Sequence, residues 1–364
     1  MIRSNAGALH AILHRLFSIC LLIGALLPAL ATAQSDAADT HLITDMAGRQ
    51  TVVPHAIHSV ATVGSVPVLN SLLFALDSGD LLVNGLPDFA RTPRWAFQYL
   101  FAPGIRTLAS FQNPDRSVRM EMLHAHQPDL VLTMDRQTAD RLQQAGLATL
   151  HLSWRHPQDV RKAVDLLGEI LGRQEQAARF RQHFDQTLAR VQSTLEHARP
   201  VAPRVLYFNP RTLTQPHLVA EWWITAAGGH SVSQDDRQTE SRTFTLEQLL
   251  AWDPEILIVG TRQEAEMIQA DPRLANIAAV RTHRILVTPA GAHPWGNRTA
   301  EQALTVLWAA TRFHPGLFSQ ETLHADVQAF YRDIFGITLT PQQITTILSG
   351  GPSDYFPAPA RSSR

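Results

Sequence analysis

Cysteine is nearly absent from this 364-residue chain: Cys20 stands alone, which excludes a disulfide framework and any cluster of thiolate metal ligands. Excess charge is lacking as well. With 31 basic and 32 acidic residues the formal net charge is −1, without the positive surplus by which a protein holds nucleic acid through overall basicity. Charged residues are only 17% and hydrophobic ones 45%, a balance that excludes a disordered chain and supplies cores for two domains. Lysine is almost missing: Lys162 is the one lysine among the 31 basic residues, a bias that carries no functional weight alone. The sequence has no Gly-x-Ser-x-Gly, no His-Glu-x-x-His and no Gly-Lys-Ser/Thr phosphate loop, and Gly228-Gly229 ends a helix without making a dinucleotide fingerprint. No enzyme activity and no cofactor are expected. A hydrolase with a scattered active site is the alternative from another class.

What is present begins with an export signal. Residues 2–15 carry Arg3 and Arg15 and no acid, and residues 16–30 are an apolar run ending in Ala31-Thr32-Ala33, an A-x-A cleavage signature. The run is shorter than the roughly 20 apolar residues a membrane span needs. Cys20 sits inside it after Phe17-Ser18-Ile19, which is not a lipoprotein pattern. Residues 1–33 are thus read as a cleavable signal peptide that sends the chain to the periplasm. No second long apolar run follows. The mature chain would hold no cysteine, 15 histidines, 29 basic and 32 acidic residues.

From residue 41 strands and helices alternate, which predicts an α/β fold with mostly parallel sheets. Strands are expected at 57–63, 81–85, 130–133 and 148–152, and helices at 66–76, 118–126 and 138–145. Residues 87–111 are aromatic and irregular. Over 158–198 apolar side chains recur at spacings of three and four, from Val160, Val164 and Leu167 to Val191 and Leu195, which predicts one amphipathic helix. If continuous it would run about 60 Å. Pro200 and Pro203 close it and a second α/β series occupies 203–348, so the expected division is an N-terminal lobe at 41–157, the linker helix, and a C-terminal lobe. Residues 350–364 are read as a disordered tail.

A repeated phrase connects the halves. Glu121, seven residues before Pro128-Asp129 and the run Leu130-Val131-Leu132, matches Glu247, seven residues before Pro254-Glu255 and the run Ile256-Leu257-Ile258. Two generic helix–loop–strand units would look alike too. Taken with the element order, the linker, the opening Thr44-Asp45-Met46-Ala47-Gly48-Arg49 and the late Pro294-Trp295-Gly296-Asn297-Arg298, however, the chain resembles the helix-linked periplasmic binding proteins of ABC importers, in the branch that handles iron–siderophore, haem and cobalamin complexes. The resemblance covers about residues 41–345. It implies two Rossmann-like lobes joined by a single long helix, with the ligand in the cleft between them, no nucleic acid, and a monomer that delivers its cargo to the importer's membrane subunits. It also implies that Glu121 and Glu247 dock each lobe on those subunits; a carboxylate in the first turn of a helix is otherwise favoured simply by the helix dipole.

The cleft should be lined by loops at strand ends. In the N-lobe these offer Ser65 and the aromatic segment with Arg94, Trp95 and Tyr99. In the C-lobe they offer Tyr207, Arg211, His217, His293, Trp295 and Arg298. Arginine with aromatic faces suits a bulky anionic or conjugated chelate, iron–siderophore-like in the first instance, with cobalamin, haem or a molybdate-type oxyanion as alternatives. For each aromatic the competing expectation is core packing. Trp295, between Pro294 and Gly296, is the strongest single candidate. A direct metal site is not expected, because Ser65 stands where relatives that bind bare metals have His, and His124 and His126 lie on opposite sides of one helix. His217 and His293 are the residues available to complete a chelate's coordination.

Overall fold

Buried runs of β-branched and leucine side chains make two separate parallel sheets. The computed structural model describes residues 39–237 and 239–354. The signal peptide expected over residues 1–33, with Cys20, lies outside them, as do residues 355–364. In the N-lobe a small ribbon, β1 (Thr40–Thr44) and β2 (Gln50–Pro54), precedes the sheet strands β3 (Val60–Val63), β4 (Leu130–Thr133) and β5 (Thr149–His151). These pair in the order β3-β4-β5, all parallel, with Val60 opposite Leu130 and Val131 opposite Thr149. Leu82 adds one parallel bridge to Val60, so the strand expected at 81–85 shrinks to a single bridge after a 3-10 turn. Helices α1 (Val66–Ala75), α2 (Ala96–Phe101), α3 (Met120–His126) and α4 (Arg136–Gln144) connect the strands.

The linker differs from expectation. It is two helices, α5 (Pro157–Ile170) and α6 (Gln174–Ala198), not one. Gly172, with φ of 65°, turns the chain between them in a conformation that only glycine adopts freely. The helices fold back antiparallel: Arg161 pairs with Asp185 and Asp165 with Arg181. A heptad-like apolar pattern persists through a hairpin because both helices bury the same kind of face, so periodicity alone did not reveal the break. The segment that runs on to the second lobe is the 25-residue α6, about 37 Å long.

The C-lobe contains β6 (Arg204–Tyr207), β7 (Thr214–Gln215), α7 (Val219–Ala226), β8 (His230–Ser231), β9 (Arg242–Thr243), α8 (Leu246–Trp252), β10 (Ile256–Val259), α9 (Arg262–Ala270), α10 (Ala278–Arg281), β11 (Ile285–Val287) and α11 (Gln302–Phe313). Its main sheet runs β11-β10-β6-β8, all parallel, and β7 with β9 forms a small antiparallel ribbon. Of the final helices, α12 (Gln320–Asp333) and α13 (Pro341–Leu348), α13 stays with that lobe, the Ala290 N–H donating to the Ile347 carbonyl, whereas the end of α12 reaches the N-lobe. Tyr331 stacks on Phe101, and Phe335, just beyond α12, meets Phe101 and Phe74 edge-on; both partners are N-lobe residues. One hydrophobic core therefore runs from Leu132 of the first sheet to Val205 and Ile256 of the second. Beyond α13, Gly351, at the start of the segment expected to be a tail, is buried near Ala290 and Arg94.

The repeated phrase is a repeated structure. α3 and α8 are each seven residues long and end on a left-handed residue, Gln127 (φ 42°) and Asp253 (φ 38°). In each, one leucine is fully buried, Leu123 or Leu249, and a four-residue central strand follows, buried throughout. The acid after the proline acts alike in both: Asp129 accepts the Ser59 N–H (2.9 Å) just before β3, and Glu255 accepts the Arg204 N–H (2.8 Å) at the start of β6.

Candidate functional site

The carboxyl ends of β6 and β10 open onto a cavity of about 250 Å³ whose opposite wall is Arg94 and Trp95 of the N-lobe. Tyr207 ends β6 and Phe208 and Asn209 follow it, Gly260 follows β10, and Pro294 and Asn297 come from the loop before α11. A neighbouring space of about 470 Å³ lies between Thr92, Pro93 and Arg94 on one side and Thr261, Arg262 and Gln263 on the other, with residues 350–353 along its edge. Arg94 lines both.

The Arg94 guanidinium spans the cleft. Its Nη2 donates to the Gly260 carbonyl (2.5 Å), while its buried Nε has no partner. Burial pulls this group below the ordinary guanidinium value, and the neighbouring Tyr207 and Glu264 act against that pull. The acceptor is itself fixed: Glu264 Oε2 accepts the N–H groups of Gly260 and Thr261 (both 2.9 Å), and Thr261 caps α9 in return. Burial raises the Tyr207 phenol, which stays protonated and donates to Asn297 Oδ1 at 2.9 Å.

Beside the cavity, His293 packs against Trp95 with ring centroids 5.2 Å apart. Burial lowers both His293 and His217 to about 3, helped at His217 by the Arg298 charge, so both imidazoles are neutral at physiological pH. Glu240 lies 3.9 Å from His217 Nδ1 and opposes the burial that lowers Arg298. Two neutral imidazoles thus lie within electrostatic reach of Arg298, and His293 also of Arg94 from across the cleft. Among the described residues no group of three or more His, Cys, Asp or Glu converges to hold a bare metal ion. His126 Nδ1 instead donates to the Met122 carbonyl (2.8 Å), and its ring packs on Phe111.

Of the expected ligand residues, the structure brings Arg94, Trp95 and Tyr207 onto the cavity wall and sets His217, His293 and Arg298 beside it. Others lie elsewhere. Trp295 is fully buried in the core and presents no surface to a ligand, a correction forced by the packing of this loop residue into the main apolar cluster. Tyr99 is buried as well, with Arg106 stacked 4.6 Å over its ring. Arg211 is exposed and lines a different cavity of about 200 Å³ with Leu246 and Met267. Ser65 precedes α1 and is not among the residues lining the cavity. Sequence reasoning missed Gly260 and Glu264; the Thr-x-x-Glu capping pattern directly after the buried run 256–259 was the signal available. Glu121 and Glu247 are both exposed in the first turns of α3 and α8.

A family model described as periplasmic binding protein matches residues 111–292, half of the chain. The chain belongs to the periplasmic binding proteins. As a member of that family it binds a small ligand and works with the membrane components of an ABC transporter. No curated protein matches it in sequence. Among solved structures, a periplasmic solute binding protein from Veillonella parvula is similar over 85% of this chain and 97% of its own, at 25% identity and a TM-score of 0.73. The molybdate periplasmic binding protein MolA of Haemophilus influenzae shares the fold at 18% identity and a TM-score of 0.70, over 83% of this chain and 99% of its own. Helicobacter pylori CeuE, solved as a Ni-His complex, shares it at 15% identity and a TM-score of 0.70, over 85% and 99%. Among the described residues no helix of this periplasmic binding protein is long and apolar enough to cross a membrane.

Proposed function

We propose that the chain captures an anionic metal chelate of the iron–siderophore kind and delivers it, as a monomer in the periplasm, to an ABC importer. The observation that carries this reading is Arg94, a half-buried cation whose buried Nε has no partner, standing between two cavities of about 250 and 470 Å³ and beside the Trp95 and Tyr207 rings. If Arg94 turns from Gly260 toward an anionic oxygen, the two spaces join into one of the size that holds a whole small-molecule ligand. A planar guanidinium and flanking aromatic faces suit a conjugated, oxygen-rich chelate. The neutral imidazoles of His217 and His293 are nearby for a metal whose coordination shell is incomplete. Export by the signal at residues 1–33 and docking through Glu121 and Glu247 complete the proposal. The acids, one on each lobe, would steer and orient the complex more than tighten it.

A second reading, a molybdate-sized oxyanion, is favoured by the smaller cavity, which takes such an ion without any movement of Arg94; the H. influenzae neighbour, described as a molybdate binder, shares this fold. Tryptophan quenching with ferric catecholate and hydroxamate complexes, haem, cobalamin and molybdate separates the readings. Binding of an iron chelate below about 1 μM, a free energy near −8 kcal/mol, supports the first. Binding of molybdate alone replaces it with the second, and binding of neither removes both. Glu121→Lys with Glu247→Lys should abolish uptake in cells while leaving ligand affinity unchanged.

A further inference from the structure

Glu301, at the entry to α11, is a fully buried carboxylate with no role in the site as described so far. Four donors surround it. Oε1 accepts the Ala292 N–H (3.1 Å) and the Tyr331 hydroxyl; Oε2 accepts the His293 N–H (3.1 Å) and the Thr299 hydroxyl (2.7 Å). A carboxylate this deep is tolerable only when its oxygens are filled by donors, and each charge-assisted bond is stronger than a neutral one. Gly291 makes the approach achievable, since a Cβ there would overlap both the Tyr331 hydroxyl and the Glu301 carboxylate.

Three of the donors are placed at the two ends of one loop, and the fourth, Tyr331, comes from α12. Ala292 and His293 begin it, Thr299 ends it, and between them Pro294 and Asn297 line the cavity, Asn297 receiving the Tyr207 hydroxyl. The Ala292 carbonyl in turn accepts from Gln98 of the N-lobe (2.6 Å), whose Oε1 accepts from Asn70, which is bonded to Thr62 at the end of β3. Every side chain in this series is buried. A continuous polar path thus runs under the cleft, with Glu301 at its C-lobe end.

We propose that Glu301 is a positioning residue for ligand capture: its carboxylate clamps both ends of the 291–299 loop and so fixes the C-lobe wall of the cavity against the N-lobe. This rests on the cavity being the ligand site. Glu301→Gln keeps the shape but turns one acceptor oxygen into an NH₂ that faces two donors. Thr299→Val, a milder variant, removes one donor only. Val191→Ala on the linker serves as a control that loses core packing without touching any hydrogen bond of the loop. The probes are the iron(III) complex of 2,3-dihydroxybenzoate and sodium molybdate. For the probe that the wild type binds, E301Q is expected to weaken affinity at least about tenfold and T299V about threefold, with V191A unchanged. In the ligand-free protein, hydrogen exchange across 289–299 should quicken in E301Q while the β4 and β10 amides keep their rates. Wild-type affinity in E301Q, an unchanged exchange rate in the loop, or an equal loss in V191A each overturns the positioning role. Failure of the wild type itself to bind either probe overturns instead the reading of the cavity on which the role depends.

Discussion

On the C-lobe side of the cleft, buried or half-buried carboxylates hold the wall by its backbone: Glu264 takes two N–H groups of the loop after β10 and Glu301 takes two of the loop before α11. On the N-lobe side, Arg94 and Trp95 project from a short 3-10 turn, Pro93–Trp95, with no side-chain cap, and their hold on the other wall is one hydrogen bond and one ring contact. The contrast separates two duties. A wall whose amides are fixed keeps its shape between ligands, whereas a wall made of long side chains over a short turn can change partners at little cost.

Acid should attack the stiffer wall first, and this is the largest effect expected. His217 and His293 both belong to it and are held at about 3, against an ordinary 6.5 in the unfolded chain. Below 6.5 the unfolded chain takes up protons that the fold refuses, so stability is complete above that pH and falls as the pH drops from 6.5 toward about 3. The slope is at most about 1.4 kcal/mol per pH unit for each histidine, and less for His217, which keeps a quarter of its side chain exposed. His151 and His183, also lowered by burial, act in the same sense. Urea midpoints at pH 7.5, 6 and 5 measure the loss, and His293→Asn should reduce the slope. A flat profile breaks the picture of two neutral buried imidazoles.

Gly291→Ala presses on the same wall sterically. It should cost about 1–3 kcal/mol by equilibrium unfolding, since the new methyl must displace Tyr331 or Glu301 from the loop. The corresponding insult to the N-lobe wall is smaller. Arg94→Gln should leave the unfolding midpoint within about 0.5 kcal/mol and weaken binding of an anionic probe about tenfold, read by Trp95 fluorescence. A large stability loss in that variant would mean that Arg94 is structural, and the asymmetry between the walls would disappear.

How much of this could be read from the chain alone follows the same division. The paired phrases around Glu121 and Glu247 were legible because they rest on local chemistry: a short helix, a residue that must turn left-handed, a proline, an acid and a buried strand. The parallel sheets were legible from the unbroken apolar runs. The break at Gly172 was not, because an antiparallel hairpin of two amphipathic helices has the same apolar spacing as one long helix. Nor was the burial of Trp295 and Tyr99. An aromatic beside proline, glycine and arginine suits a ligand or a core equally, and only tertiary packing decides between them. Glu301 and Gln98 were hidden for a related reason: a glutamate before a helix reads as a favourable first-turn charge, and nothing in the pattern shows that the preceding loop folds back on it or that Tyr331 joins from α12.

The apolar core that passes from the first sheet to the second has a thermodynamic consequence. Leu132, Val205, Ile256 and Phe330 share the largest cluster, and the clusters that each lobe keeps for itself, around Val131 and around Leu257, are much smaller. The two lobes should therefore melt together in one calorimetric transition, with the enthalpy of the whole chain behind it. Any cargo taken between them would raise the melting point of residues far from the cleft as much as those beside it.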